Sequence, residues 1–139
     1  MEYISKCECG RCSAKIVLSQ SLENYEARAC QCEFCLPRNA AYLSDPLGNL
    51  TLSPTSSLMV ITQGSGVARF WVCKHCDALL AVTYETDTKT KGALNTLLLP
   101  AKDKSRIKIT PVSPHLLPAE AKVARWRSLW MDTIFDSKT

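Results

Sequence analysis

The eight cysteines of this 139-residue chain fall in three tight groups: Cys7-Glu-Cys9-Gly-Arg-Cys12, Cys30-Gln-Cys32-Glu-Phe-Cys35 and Cys73-Lys-His-Cys76. Thiolates at such spacings are ligands for a borderline-soft cation, zinc above all. Zinc–sulfur bonds of about 2.3 Å at tetrahedral angles require sulfurs less than about 4 Å apart, and a Cys-x-x-Cys turn meets this by curling round the ion. A Cys-x-Cys pair in a regular strand points its sulfurs to opposite faces. Cys7 and Cys9 can therefore share an ion only where a strand gives way to a turn, and Gly10 is the residue that permits one. Disulfides are the poorer account, because residues two apart, such as Cys30 and Cys32, can hardly bridge each other without strain.

Two ligand sets follow. Cys7 and Cys9 with Cys73 and Cys76 make a closed four-thiolate site that ties distant parts of the chain together. Cys30, Cys32 and Cys35 supply three thiolates, and three protein ligands with a fourth position open is the arrangement of a catalytic zinc. A second partition adds Cys12 to that cluster, which closes both sites and makes the metals structural only. Cys12 also reads as a small core residue at the start of a strand. His75, between two cysteines of a tight turn, is expected to face solvent, and His115 to lie on the surface. Arg38 is the candidate for holding a substrate carboxylate and Glu33 for relaying a proton, with exposed loop positions as the plainer reading of both.

The elements that must position these groups read mostly as short strands. β-rich or alternating runs occur at Ser13–Leu18, Ala41–Ser44, Leu50–Leu52, Leu58–Thr62, Val67–Val72, Leu79–Glu85, Leu94–Leu99 and Arg106–Ile109. Turn chemistry separates them at Asp45-Pro46, Gly48-Asn49, Ser53-Pro54, Gly64-Ser65-Gly66 and Lys91-Gly92. This pattern predicts a mainly β, antiparallel fold in a single domain over 1–139. A linker over Thr110–Pro118 leads into a C-terminal helix running to about Met131. Its apolar face, Val123, Trp126, Leu129 and Trp130, is expected to pack back on the sheet, with a dimer face as the alternative.

Composition narrows the function class. The 46% hydrophobic content is ordinary for a globular protein, and no apolar run approaches the roughly 18–20 residues of a membrane span. The N-terminus lacks the apolar stretch of a secretory signal, which makes the reducing cytoplasm the expected compartment. The formal charge of +4 suggests nucleic acid only superficially. Seven thiolates and two divalent ions together bring it to about +1, and the basic residues are scattered, so no nucleic-acid partner is expected. Gly64-Ser65-Gly66 lacks the third glycine and the following helix of a dinucleotide-binding turn.

The ordered motifs, Cys-x-Cys-Gly, then Cys-x-Cys-x-x-Cys, then aromatic-x-x-Cys-x-x-Cys beginning at Phe70, resemble the glutathione-dependent formaldehyde-activating enzyme family, of which centromere protein V is a relative. The resemblance covers about Cys7–Leu80. It implies a β-tent fold of small antiparallel sheets pinned by two zinc ions per chain, one structural at Cys7, Cys9, Cys73 and Cys76, the second at Cys30, Cys32 and Cys35. It also implies carbon–sulfur lyase chemistry, joining a small thiol such as glutathione to formaldehyde. The chain departs from the family's pattern at Gln31, where histidine is common, at Asp77, where glycine is common, and at Leu36-Pro37-Arg38-Asn39, a stretch that is usually basic and polar. A thiol-adduct enzyme and a non-catalytic zinc module, either a thiol carrier or a protein scaffold, are the two functions to be distinguished. Neither substrate nor oligomeric state is legible in the residues.

Overall fold

Short alternating runs cut by Gly and Pro favour strands over helices through most of this chain. The computed structural model describes residues 1–62, 66–112 and 118–137, apart from the side chain of Ala119. His115, most of the proline-rich segment, and Gly64 and Ser65 of the expected turn lie outside the described residues. The strands are β1 (Glu2–Lys6), β2 (Ser13–Val17), β3 (Glu26–Cys30), β4 (Ala41–Leu43), β5 (Asn49–Ser53) and β6 (Leu58–Thr62), followed by β7 (Arg69–Cys73), β8 (Leu79–Glu85), β9 (Thr90–Asn95), β10 (Lys108–Val112) and β11 (Met131–Phe135). A four-residue helix α1 (Ala101–Lys104) and the longer α2 (Ala119–Leu129) complete the regular structure. No helix among the described residues is long and apolar enough to cross a membrane.

The fold is mainly β, as the sequence predicts, with a C-terminal helix. The described strands join one branched sheet that does not close into a barrel, in the order β1-β2-β5-β11-β9-β4-β3-β10, with β6, β7 and β8 leading off β9. Strand β9 is the hub. One of its edges pairs with β8, and the other is shared between β11 at Lys91 and Gly92 and β4 at Leu94 and Asn95. Gly92 is required at this junction: a Cβ there would sit 2.6 Å from Thr133 Oγ1 and 3.0 Å from the Val82 carbonyl. Two ladders are parallel, β10 with β3 and β11 with β5. Both bring late segments back beside early strands, and an alternating pattern carries no information about strand direction.

Several boundaries differ from the sequence reading for identifiable reasons. The run expected as a strand over Leu94–Leu99 ends at Asn95, where a 3₁₀ turn over Thr96–Leu98 begins. Asn95 is fully buried, and its side chain accepts from the amides of Ala41 and Leu97 and donates to the Leu79 carbonyl at 2.9 Å. Those bonds cap the turn and join three segments. Residues 110–112, expected as linker, are the end of β10. The helix stops at Leu129, and Met131, with 0% exposure, opens β11.

The apolar side chains gather in two cores, and the two main cysteine clusters divide between them. The first core holds Cys7, Cys12 and Cys73 with Ile16, Leu50, Leu52 and Leu80. The second holds Cys30 and Cys35 with Phe34, Tyr42, Phe70, Tyr84 and Trp130, and Val123, Trp126 and Leu129 of α2 pack on it. Trp126 and Trp130 stack at 4.6 Å and both meet the Tyr84 ring, at 5.5 and 5.7 Å. The apolar face of α2 is thus covered by the chain's own sheet.

Candidate metal centres

The first cluster is built by two turns that face each other. After β1 the chain reverses: the Cys7 amide donates to the Cys12 carbonyl and the Gly10 amide to the Cys7 carbonyl, with Gly10 at φ +77°. After β7 a second turn closes through Cys73 N to Ala78 O and Asp77 N to Cys73 O, both 2.9 Å. Asp77 adopts φ +67°, the left-handed conformation in which aspartate is among the better-tolerated side chains, so a glycine is not needed there. The sulfurs of Cys7, Cys9, Cys73 and Cys76 all lie within 4.8 Å of one another, with Cys7–Cys9 at 3.5 Å and Cys9–Cys73 at 3.6 Å.

Backbone amides aim at these sulfurs. Cys12 N donates to Cys7 Sγ at 3.2 Å, and His75 N to Cys73 Sγ at 3.4 Å. Burial opposes ionisation of Cys7, but the Cys12 amide and the Cys9 thiol outweigh it and hold the Cys7 thiol below its ordinary range. Cys73 is lowered in the same way, its burial overcome by the amides of His75 and Cys76. At Cys9 the Arg11 amide favours the thiolate, but burial and the three neighbouring thiols push the group up to about 12. Sulfurs this close cannot all ionise unless a cation lies among them. Four thiols at these separations, with amides donating to the sulfurs, fit a tetrahedral soft-metal site.

Cys12 belongs beside this cluster and not with Cys30. Its amide serves Cys7, and its own thiol, 1% exposed, donates to the Ser57 carbonyl at 3.3 Å. Burial pushes that thiol well up, and Cys73 and Cys7 add to the effect. His75 is exposed, with Nδ1 2.9 Å from an Arg11 guanidinium nitrogen, and is not part of the ligand set.

The second cluster forms where β3 ends. Cys30, Cys32 and Cys35 bring their sulfurs within 4.8 Å of one another, and these three make up the set among the described residues. Cys35 N donates to Cys32 Sγ at 3.3 Å, and the chain then winds through a 3₁₀ turn over Leu36–Arg38 that ends at left-handed Asn39. The Tyr42 hydroxyl, on the adjacent strand β4, lies 3.1 Å from Cys35 Sγ. A hydrogen bond with Cys30, then burial, pushes the Cys35 thiol far up, although Tyr42 works the other way. The donor chemistry again suits a soft divalent metal, with three sulfurs supplied by the protein.

A cavity of about 80 Å³ opens beside this cluster, with Cys30, Cys35 and Tyr42 on one side and Phe70, Trp126 and Leu129 among its apolar walls. Two arginines also line it, Arg28 from β3 and Arg125 from α2. Arg38 does not: its guanidinium donates to the Phe34 carbonyl at 2.7 Å and lies 3.8 Å from the centre of the Phe34 ring. Glu33 is exposed, and Gln31 donates through its side chain to the Ala29 carbonyl at 3.1 Å. Tyr42, Arg28 and Arg125 are absent from the sequence reading. The signal for Arg28 is its place two residues before Cys30, which puts both on one face of a strand that the sequence pattern leaves unmarked.

No family model matches this chain, and no curated protein matches it. A Rhodobacter sphaeroides protein solved as a structural-genomics target shares the fold, with a TM-score of 0.58 at 21% identity over 77% of this chain and 99% of its own. That likeness concerns fold alone. The resemblance to the formaldehyde-activating family rests on the ordered cysteine motifs.

Proposed function

We propose that this chain binds two zinc ions, one structural and one at a thiol-handling site, and that it makes or breaks a carbon–sulfur bond between a small thiol and an aldehyde. The observation that carries this reading is the difference between the two clusters. Four thiols make up the first, whereas three make up the second and border an apolar cavity. Cys30, Cys32 and Cys35 would hold the zinc ion, which when bound would supply Lewis acidity and favour ionisation of a nearby thiol.

The chain's own residues supply the setting. The Tyr42 hydroxyl fixes Cys35 Sγ, and the Cys35 amide fixes Cys32 Sγ, so two of the three ligands are oriented by hydrogen bonds before any ion arrives. Phe70, Trp126 and Leu129 give the cavity apolar walls, which favour addition of a thiol to an aldehyde over competing hydration. The overall conversion is R–SH + R′CHO giving R–S–CH(OH)R′. The carbon–sulfur bond forms, the carbonyl π bond opens, and the thiol proton ends on the new hydroxyl.

One observation favours a second reading, a non-catalytic zinc module that carries a thiol or scaffolds a partner. Among the described residues, neither a carboxylate nor an imidazole lines the cavity. NMR of purified protein with glutathione and formaldehyde separates the two. Faster equilibration with the hemithioacetal supports the enzyme; thiol binding without acceleration by any small aldehyde selects the carrier.

A further inference from the structure

The cavity beside the second cluster is apolar on most sides yet takes up two positive charges. Arg28 rises from β3 two residues before Cys30, so both side chains leave the same face of the strand about 6.6 Å apart. It is anchored, with one guanidinium nitrogen donating to Ser44 Oγ at 2.8 Å. Arg125 comes from α2 and lines the same cavity. Among the described residues neither arginine forms an ion pair, and Glu26, the acidic residue two positions before Arg28, pairs with neither.

Two guanidinium groups lining one cavity, Arg28 half-buried and Arg125 exposed, with no ion pair to either among the described residues, are an arrangement that an anion completes. The cavity bounds the size of that ligand. About 80 Å³ is far below the roughly 300–1,000 Å³ of an ordinary drug-sized pocket, so it encloses only a few heavy atoms. A tripeptide such as glutathione would leave most of itself outside.

We infer that Arg28 and Arg125 form the anion-binding half of this site, and that its preferred ligand is a short thiol carrying a carboxylate two or three bonds from the sulfur-bearing carbon. The inference rests on the thiol-handling reading of Cys30, Cys32 and Cys35. Sulfur would be received at the cysteine cluster and the carboxylate at the guanidinium pair, so that one small molecule meets both kinds of polar lining residue.

Calorimetric titration of the metal-loaded protein with 3-mercaptopropionate and with its neutral analogue 3-mercaptopropanol tests this. The acid is expected to bind at least about tenfold more tightly, the discrimination of a charge-assisted pair. That ratio should fall toward one in Arg125→Gln, which alters an exposed helix position, and in Arg28→Gln, while Arg28→Lys retains part of it. Equal affinities in the unaltered protein would overturn the anion pocket and leave the thiol site standing. Equal weakening of both thiols in the variants, with metal lost, would also overturn it, because the arginines would then serve only to offset thiolate charge. Binding of neither thiol would overturn both the pocket and the reading on which it rests.

Discussion

Cys9 and Cys73 are separated by 64 positions in sequence, yet their sulfurs lie 3.6 Å apart. Closing so long a loop costs chain entropy, and a structural zinc at the cluster would offset it with on the order of 10 kcal/mol of apparent binding free energy. A fold of this size has about 5–15 kcal/mol of stability in total. Cys73→Ser should therefore abolish cooperative thermal unfolding, whereas Cys32→Ser, at the other cluster, should keep a sharp melt. Circular dichroism melts of the two variants check this, and a cooperative Cys73→Ser melt near the parent midpoint would contradict it.

Cys12 offers the opposite expectation. Its thiol reaches the Ser57 carbonyl and neighbours the Cys73 and Cys7 sulfurs, and its backbone amide donates to Cys7 Sγ. Cys12→Ala keeps that amide and removes a small buried group, so the cost is roughly 1–2 kcal/mol from the lost packing and hydrogen bond. Metal content should be unchanged. Loss of an ion from this variant, read by elemental analysis, would make Cys12 a ligand.

Tyr42 bears on the second cluster alone. Its hydroxyl meets Cys35 Sγ at 3.1 Å, and outer partners of this kind typically contribute about 10–100-fold in metal affinity. Tyr42→Phe retains the ring in the core and removes only that contact. Competition with a chromogenic chelator should show one site weakened within this range and the other unchanged. Equal affinities in parent and variant would remove Tyr42 from the site.

Asp45 gives a pH dependence away from the cysteines. Burial disfavours its charge, but donors from Ser19 N and Oγ, the Tyr25 hydroxyl and Leu47 N at 2.6–2.9 Å lower its pKa from 3.8 to about 2. A carboxylate depressed in the folded state contributes stability above its unfolded pKa, and that contribution is lost as pH falls through the folded value. Asp45→Asn should cost roughly 1–3 kcal/mol at pH 7. Its deficit should shrink between about pH 4 and 2, where the parent carboxylate is protonated. Denaturant titrations of both proteins across this range measure the difference, and a deficit independent of pH would show that charge is not what Asp45 contributes.

The cysteine clusters were legible because cysteine spacing is a local signal: Cys-x-x-Cys turns announce their chemistry within four residues. The apolar face of α2 was legible for the same reason, through its helical period. Strand β3 was not, because Glu26-Ala-Arg-Ala-Cys30 lacks the β-branched and aromatic residues that mark strands, and its register is set by β4 and β10. With β3 unseen, Arg28 could not be placed beside Cys30, and the carboxylate-binding role was assigned instead to Arg38, whose guanidinium is engaged with Phe34. Arg125 reaches the same cavity only through the docking of α2, a tertiary relationship between segments distant in the chain. Strand β11 was hidden by the helix immediately before it, whose apolar spacing runs on into Trp130 and Met131.

The central claim is that the two cysteine clusters hold two metal ions of unequal coordination. Elemental analysis of the purified protein, with zinc-edge X-ray absorption on the parent and on Cys32→Ser, tests it most directly. The account predicts two zinc ions per chain in the parent with an average of about 3.5 sulfurs each, and sulfur-only coordination at the zinc left in Cys32→Ser. A metal content near zero, or four sulfur ligands at both sites, would contradict it.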